Sequence, residues 1–464
     1  MPVSPAHLDA ALAYADAHID QSLARLTDLI AIKSISTDPA YAAECRRAAD
    51  WLVADLQSEG YDASARPTPG HPVVIAHGPA VDGPTAVFYA HYDVQPVDPI
   101  ELWNTDPFTL TPVKQPNGET FLTARGSSDD KGQMLTFIEA CRALRAITGT
   151  LPVNVKFCLE GEEESGSKNL VPFLKSVQDE LSADVALVCD TDMLDPTTPC
   201  VTTMLRGLVG EEIEITAAAM DLHSGGYGNA ARNPNQVLAE IITSLRNPDG
   251  SVAIAGFYDD VDELDDITAE SWRQLGFDGD KYLRAVGLSI PAGEQNRSVL
   301  EQIASRPTCE INGMIGGYTG EGFKTVIPAK ASAKISFRLV SRMDPDKIRA
   351  AFRAHVQARL PADCKVTFKE HGGSPAISVP TTGVHLQQAR EALSAEWGKQ
   401  AVLRGSGGSI PVAGDFKRIL GLDTLLIGYA LDDDRIHSPN EKYSLTSYRK
   451  GIRSWIRILA ALGA

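Results

Sequence analysis

Four apolar runs of this chain each break off into acidic or imidazole side chains. TAVFYA runs into His91-Tyr92-Asp93, VNVKFCL into Glu160 and then Glu162-Glu163-Glu164, and DVALVC into Asp190. TLLIGYAL is followed by Asp432-Asp433-Asp434 and then His437. Short apolar runs bounded by charge read as buried strands. Helical patterns lie between them, so the grammar predicts an α/β sheet with helices on both faces. In such sheets ligands bind beyond the carboxyl ends of the strands. The charged residues are therefore expected to meet at one edge. ARGSSDDKG adds Asp129 and Asp130 just before a helix.

At 464 residues the chain exceeds one ordinary core, so two domains are expected. Apolar periodicity predicts an amphipathic helix over 6–32 and a second over 44–60, with Gly60 as its C-cap. Strands are expected at 71–78, 85–94, 152–160 and 183–190, with a helix from Gly132 to Ala146. The pattern changes after Arg206-Gly207. A strand at 211–225 leads into a Gly-rich loop, a helix follows at 233–247, 330–340 alternates as a half-exposed strand, and Pro345 opens another helix. With a further strand at 365–372, this is α+β grammar. From about 380 the α/β style resumes, with a buried strand at 423–431. The expected fold is thus a catalytic domain, 1–205 and 383–464, with a mostly parallel sheet flanked by helices. An α+β lid and dimerisation domain, 206–382, interrupts it.

Composition narrows the partners. A net charge of −17, from 60 acids against 43 bases, repels phosphate backbones and anionic lipids, so neither nucleic acid nor a membrane surface is an expected partner. The 7 cysteines are scattered without a C-x-x-C pair, which reads as buried thiols in a reducing compartment. The N-terminal stretch has no signal-peptide pattern, and no apolar stretch approaches the ~18 residues of a span. A cytoplasmic location is expected.

Each charged motif has an ordinary reading when taken singly. An H-x-D on a strand can be packing, an EGEEES run a solvated turn, and Asp-Asp before a helix a dipole partner. The His of IHSPNE can be incidental. Gathered at one edge, the carboxylates would repel strongly unless cations neutralised them. Histidine, aspartate and glutamate without cysteine suit zinc, with manganese or cobalt as substitutes.

Several longer motifs occur together and in order: HYDVQP, ARGSSDDKG, EGEEESGS, DLHSGGYGN, GGYTGEGFKTVIPA, SFRLV, GSIPV and HSPNE. In these the chain resembles, over nearly its whole length, the co-catalytic zinc metallopeptidases that include carnosinase, cytosolic nonspecific dipeptidase, carboxypeptidase G and aminoacylase. The carnosinase-like dipeptidase branch is the nearest match. The resemblance implies two zinc ions per subunit, with manganese as an alternative. It implies that His91 and Asp190 complete one metal shell, that Glu164 and His437 complete the other, and that Asp129 bridges them. The peptide bond from Asp129 to Asp130 is then expected to be cis. Asp93 would orient His91, and Glu163 would be the general base for a water activated by both cations. The extra Glu162 leaves a second register for the base and ligand, and Asp192 is a rival to Asp190.

The resemblance also makes the inserted domain the seat of a homodimer. His223 would reach the partner's site to stabilise an oxyanion; read alone it is a capped turn histidine. Arg338 would clamp the C-terminal carboxylate of a small peptide substrate, or else be a solvent-facing sheet arginine. Ser409 would meet the same carboxylate, and Asn312, Thr325 and Tyr318 are further candidates for substrate contact. The implied activity is hydrolysis of dipeptides or short peptides with a free C-terminus. The alternatives are an N-acyl-amino-acid amidohydrolase or glutamate-type carboxypeptidase on the same metal centre, and a non-catalytic scaffold.

Overall fold

A computed structural model describes residues 2–407 and 410–464. The chain forms two compact units. The first comprises residues up to Thr203 with Val379–Arg404 and Asp415–Ala464; the second comprises Met204–Ser378 with Gly405–Gly414.

The first unit is α/β. Its sheet runs in the order Asp62–Arg66, Val73–His77, Asn154–Glu160, Thr85–His91, Val185–Val188, Thr424–Leu426 and Cys200–Leu205. The four middle members, from Asn154–Glu160 to Thr424–Leu426, are mutually parallel, and the flanking ones pair antiparallel. The parallel strands are apolar throughout because helices cover the sheet. The helix Lys131–Thr148 lays Phe137 on Phe88 of Thr85–His91, rings stacked at 3.8 Å, and Trp455 from the C-terminal helix Leu445–Leu462 closes edge-on over both. All three aromatics are fully buried.

Some elements depart from the sequence expectation. The single helix expected over 6–32 is two, Pro5–Ala17 and Ile19–Ile30. His18 leaves helical geometry between them (φ −109°, ψ 17°), and its Nδ1 bonds the Tyr14 carbonyl at 2.8 Å. The run expected as a strand over 423–431 pairs only at Thr424–Leu426. A small sheet of Thr111–Lys114, Thr120–Thr123 and Lys442–Ser444 has no counterpart in the expected elements.

The second unit is α+β. Its sheet has the antiparallel order Thr308–Gly316, Lys330–Leu339, Gly207–Thr216, Lys365–Ser374. Gly207–Thr216 and Lys330–Leu339 alternate buried and less buried residues, the period of a sheet covered on one face. The covered face presents Val209, Ile213, Ala333, Ile335 and Phe337, which pack with Val237 and Ile241 of the helix Pro234–Thr243 and Phe352 of the helix Pro345–Gln357.

All seven cysteines are buried and none forms a disulfide. Burial pushes the thiols of Cys45, Cys141, Cys200 and Cys309 up to about 12. Among the described residues no helix is long and apolar enough to cross a membrane.

Candidate metal centre

The parallel strands of the first unit all point their carboxyl ends the same way, and the charged residues follow from that. His91 is the last residue of Thr85–His91, paired with Glu160 at the end of Asn154–Glu160. Glu163 and Glu164 lie in the 3-10 turn Glu163–Ser165 just beyond. Asp190 comes two residues after Val185–Val188. Asp129 precedes the helix Lys131–Thr148, and its peptide bond to Asp130 is cis.

Asp129 turns one oxygen to each of two imidazoles. His91 Nε2 lies 3.0 Å from its Oδ1, and His437 Nε2 lies 2.9 Å from its Oδ2. Asp190 Oδ2 is 4.0 Å from His91 Nε2, and Glu164 Oε2 is 3.2 Å from His437 Nε2. The donors fall into two groups, His91–Asp129–Asp190 and Asp129–Glu164–His437, each with its ligand atoms within 4.8 Å of one another. One imidazole and two carboxylates per group, with one carboxylate common to both, is a donor set that fits a pair of divalent cations.

The electrostatics point the same way. Burial lowers the basicity of His91, but its bonds to Asp129 and Asp93 outweigh that and hold it well above the ordinary imidazole range. Asp129, helped by Glu164, lifts His437 to about 10. Burial acts against Asp129 ionising, yet the two imidazoles pull it below the usual carboxylate range. Asp190 is raised strongly by burial, against the pull of His91. Glu163 is raised to about 7 by burial, with His91 opposing and Glu164 adding to the rise. Four carboxyl groups, Asp129, Asp190, Glu163 and Glu164, thus crowd together, and besides burial their mutual repulsion raises Asp190 and Glu163, a load that bound cations would relieve.

Supporting residues fix the donors. Asp93 is fully buried and accepts the backbone N–H groups of Glu163 (3.3 Å) and Glu164 (3.0 Å). Its carboxylate is also 3.4 Å from His91 Nδ1. Gln95 donates to Glu164 Oε2 at 2.7 Å, and Asp130 accepts the His91 N–H at 3.2 Å. Glu162 is turned to Asn169, whose Nδ2 lies 2.8 Å from its Oε2, and takes no part in either donor group. Asp192 is tied to Arg404 at 2.7 Å and is likewise in neither. The Glu163 carboxylate stands beside the cluster with no hydrogen-bond partner among the described residues.

The remaining candidates lie in the second unit. His223 is exposed and pairs with Val326 in a two-stranded ribbon, Leu222–His223 with Val326–Ile327. Its Nδ1 accepts the Gly225 N–H at 2.9 Å, which leaves the proton on Nε2. A Cβ at Gly225 would come within 2.7 Å of that ring. Thr325 adjoins it, its carbonyl accepting the Ser224 N–H at 3.1 Å. Tyr318 is exposed and donates to the Glu321 carbonyl.

Arg338 and Asn312 line one cavity of about 480 Å³ with Arg206, Arg246 and Arg306. Asn312 sits at a bulge, where pairing with Lys330–Leu339 shifts between Ile311 and Gly313; a bulge re-aims a side chain in this way. Arg246 pairs with Glu310 and Arg306 with Glu294. Arg206 and Arg338 have no ion-pair partner among the described residues. Burial first, then the Arg338 charge, depresses Arg206 to about 10. Two guanidinium groups without an ion-pair partner among the described residues, on one cavity, are an arrangement that suits an anion. Arg206 and Gln95 carry no mark in the sequence that separates them from ordinary polar residues, and Asp434 stands out there only as one of the three acids that follow TLLIGYAL. Ser409 lies outside the described residues.

Residues 87–461 match Peptidase family M20/M25/M40. The chain is 31% identical over 451 residues to the Cys-Gly metallodipeptidase dug1 of Schizosaccharomyces pombe, covering 94% of each chain. It is 30% identical over 475 residues to the Beta-Ala-His dipeptidase of Rattus norvegicus, covering 97% of this chain and 95% of that one. Among solved structures, the M20 family metallo-carboxypeptidase Sso-CP2 from Sulfolobus solfataricus superimposes with a TM-score of 0.80 at 31% identity, over 95% of this chain and 99% of that one.

Proposed function

The chain belongs to Peptidase family M20/M25/M40, and on that premise we propose that it is a zinc dipeptidase that hydrolyses the amide bond of dipeptides or short peptides with a free C-terminal carboxylate. The observation that carries this reading is Asp129, one carboxylate common to two donor groups, with Glu163 beside them and in neither. His91, Asp129 and Asp190 would hold one cation, and Asp129, Glu164 and His437 the other. Such a pair supplies Lewis-acid polarisation of the scissile carbonyl and acidifies a water. Glu163, unligated and raised to about 7, is suited to take the water's proton and return it to the leaving amine. Asp93 keeps that base in place through the backbone of the Glu163–Ser165 turn.

Arg338, with Arg206 beside it, is assigned to the substrate's C-terminal carboxylate, and Asn312, Thr325 and Ser409 to further substrate contacts. His223, with Nε2–H free to donate, is assigned to the oxyanion of a partner subunit in a homodimer. The exposed Met314 and Ile315 on the edge strand Thr308–Gly316 support a seam there. The divided boundaries 1–205, 206–382 and 383–464 are retained as the catalytic and inserted domains. Seven reduced, buried thiols favour the cytoplasm.

A carboxypeptidase reading is favoured by the likeness to Sso-CP2, and it differs in the length of peptide accepted. The test is a panel of free dipeptides, longer peptides, N-acetyl amino acids and C-amidated dipeptides, hydrolysed by zinc- or manganese-loaded protein with Glu163→Gln as blank. Cleavage of free dipeptides with sparing of the amidated ones supports the dipeptidase. Preference for N-acetyl amino acids overturns it in favour of an acylase.

A further inference from the structure

The loop that carries His437 is held by two buried carboxylates, one at each end. Glu441 is fully buried, and both of its oxygens are doubly engaged. Oε1 accepts the N–H groups of Ser128 (2.9 Å) and Asp129 (3.0 Å). Oε2 accepts the N–H of Gly126 (3.0 Å) and a bond from Arg125 Nη1 (2.8 Å). At the other end Asp434, also fully buried, accepts from the Ser128 hydroxyl (2.9 Å) and from Lys442 Nζ (3.1 Å). Both carboxylates therefore grip the short segment that ends in Asp129. Between them the backbone is tightly wound, with Arg435, His437 and Asn440 at φ of +57°, +62° and +63°. Side chains other than glycine rarely adopt that region unless their surroundings impose it.

We propose that Glu441 is a positioning residue for the second cation, clamping the Asp129 segment to the His437 loop so that the two ligands meet at a fixed separation. The inference rests on the dinuclear reading given above. Asp129 and His437 are far apart in sequence; the pairing of Thr120–Thr123 with Lys442–Ser444, continued by the Ala124 N–H donating to the Glu441 carbonyl at 3.1 Å, brings their segments side by side but stops short of both ligands. His437 is half-exposed, its side chain 53% accessible, so packing does not fix it. The clamp supplies the rigidity that packing does not. Four donors on one carboxylate, one of them a guanidinium, form a stiff, fully satisfied anchor. Partners of this kind behind the ligands typically govern metal affinity by about 10–100-fold.

The test measures zinc affinity by competition with a chromophoric chelator, together with the visible absorption of the cobalt-loaded protein, for the parent, Glu441→Gln, Ser128→Ala and His437→Ala. Expected for Glu441→Gln is a weaker-site dissociation constant raised by about 10–100-fold, with the cobalt spectrum reporting one altered ion. A smaller rise in the same constant is expected for Ser128→Ala, which keeps every charge and removes only the hydroxyl that meets Asp434. Melting of the metal-free proteins separates positioning from mere fold support. A role confined to stability lowers that melting temperature and leaves the dissociation constants of the folded protein at parent values, which would overturn the proposal. If Glu441→Gln does not fold, Glu441→Asp, which keeps the charge but is one methylene too short to hold all four donors, is measured in its place, and parent affinity there overturns the proposal. If His437→Ala itself retains both ions at parent affinity, the dinuclear reading fails, and the clamp with it.

Discussion

The buried carboxylate of Asp93 accepts the backbone N–H of Glu164 at 3.0 Å while standing 3.4 Å from the Nδ1 of His91. One side chain thus orients an imidazole of one donor group and the turn that carries a carboxylate of the other. Asp93→Asn would set an amide NH₂ against these donors. The expected outcome is zinc affinity lowered by about 10–100-fold and kcat lowered with it. Chelator competition and steady-state kinetics on the same preparation check this, and parent values in both would remove Asp93 from the assigned role.

Glu163→Gln keeps size and hydrogen-bonding capacity but cannot take a proton. Loss of a general base at this position is expected to lower kcat by roughly 10²–10⁴-fold. Metal content and melting temperature should stay at the parent level, because Glu163 is in neither donor group. A kcat within a few-fold of the parent would move the base elsewhere.

Arg338→Ala should lower kcat/KM for free dipeptides by roughly 10–150-fold, the equivalent of the ~1.5–3 kcal/mol of a charged hydrogen bond. C-amidated dipeptides, which lack the anion, should be cleaved no worse than before. Arg206→Met, removing the buried guanidinium next to it, is expected to follow the same split between substrates. A loss equal for both substrate classes would mean that neither arginine reads the carboxylate.

The homodimer reading predicts complementation. His223→Ala and Asp129→Ala should each be nearly inactive alone. Mixed dimers of the two carry one site with an intact metal centre and an intact partner histidine, so they should regain up to about half of one parent dimer's activity per site pair. Isolated mixed dimers without activity would place the histidine's action within its own chain.

Glu160 gives a pH signature. It is buried at the end of Asn154–Glu160, and burial lifts it to about 8, with the Tyr89 hydroxyl bond acting against the rise. Its folded-state value lies above the ~4.3 of a free glutamate. The folded protein therefore binds more protons than the unfolded one in between. Its contribution to stability is fully present below about 4.3 and is lost as pH rises toward about 8. Thermal melts of metal-free Glu160→Gln between those limits should show a flatter pH dependence than the parent. An identical slope would mean Glu160 ionises normally.

Much of this was legible because the four parallel strands announce themselves as apolar runs, and a parallel sheet gathers whatever follows their carboxyl ends. The ends of TAVFYA, VNVKFCL and DVALVC bring His91, Glu160 and Asp190 together for that reason. What separates Asp190 from Asp192 is not in the local pattern: Arg404, more than two hundred residues on, pairs with Asp192. Asn169 does the same for Glu162. Likewise Arg206 reads as a polar residue at a change of style, and only the fold reveals it unpaired beside Arg338. His18 splits a run whose apolar period passes through it unbroken, because the break is a backbone turn and leaves no mark on periodicity.

The seven buried thiols have a practical corollary. With their ionisation suppressed and their sulfurs out of solvent, they are poor targets for maleimides and iodoacetamides, which attack the exposed thiolate. A single cysteine installed on the surface of either unit would then be the only fast-reacting one, so fluorophores or spin labels can be attached to the native sequence without first stripping its own sulfur.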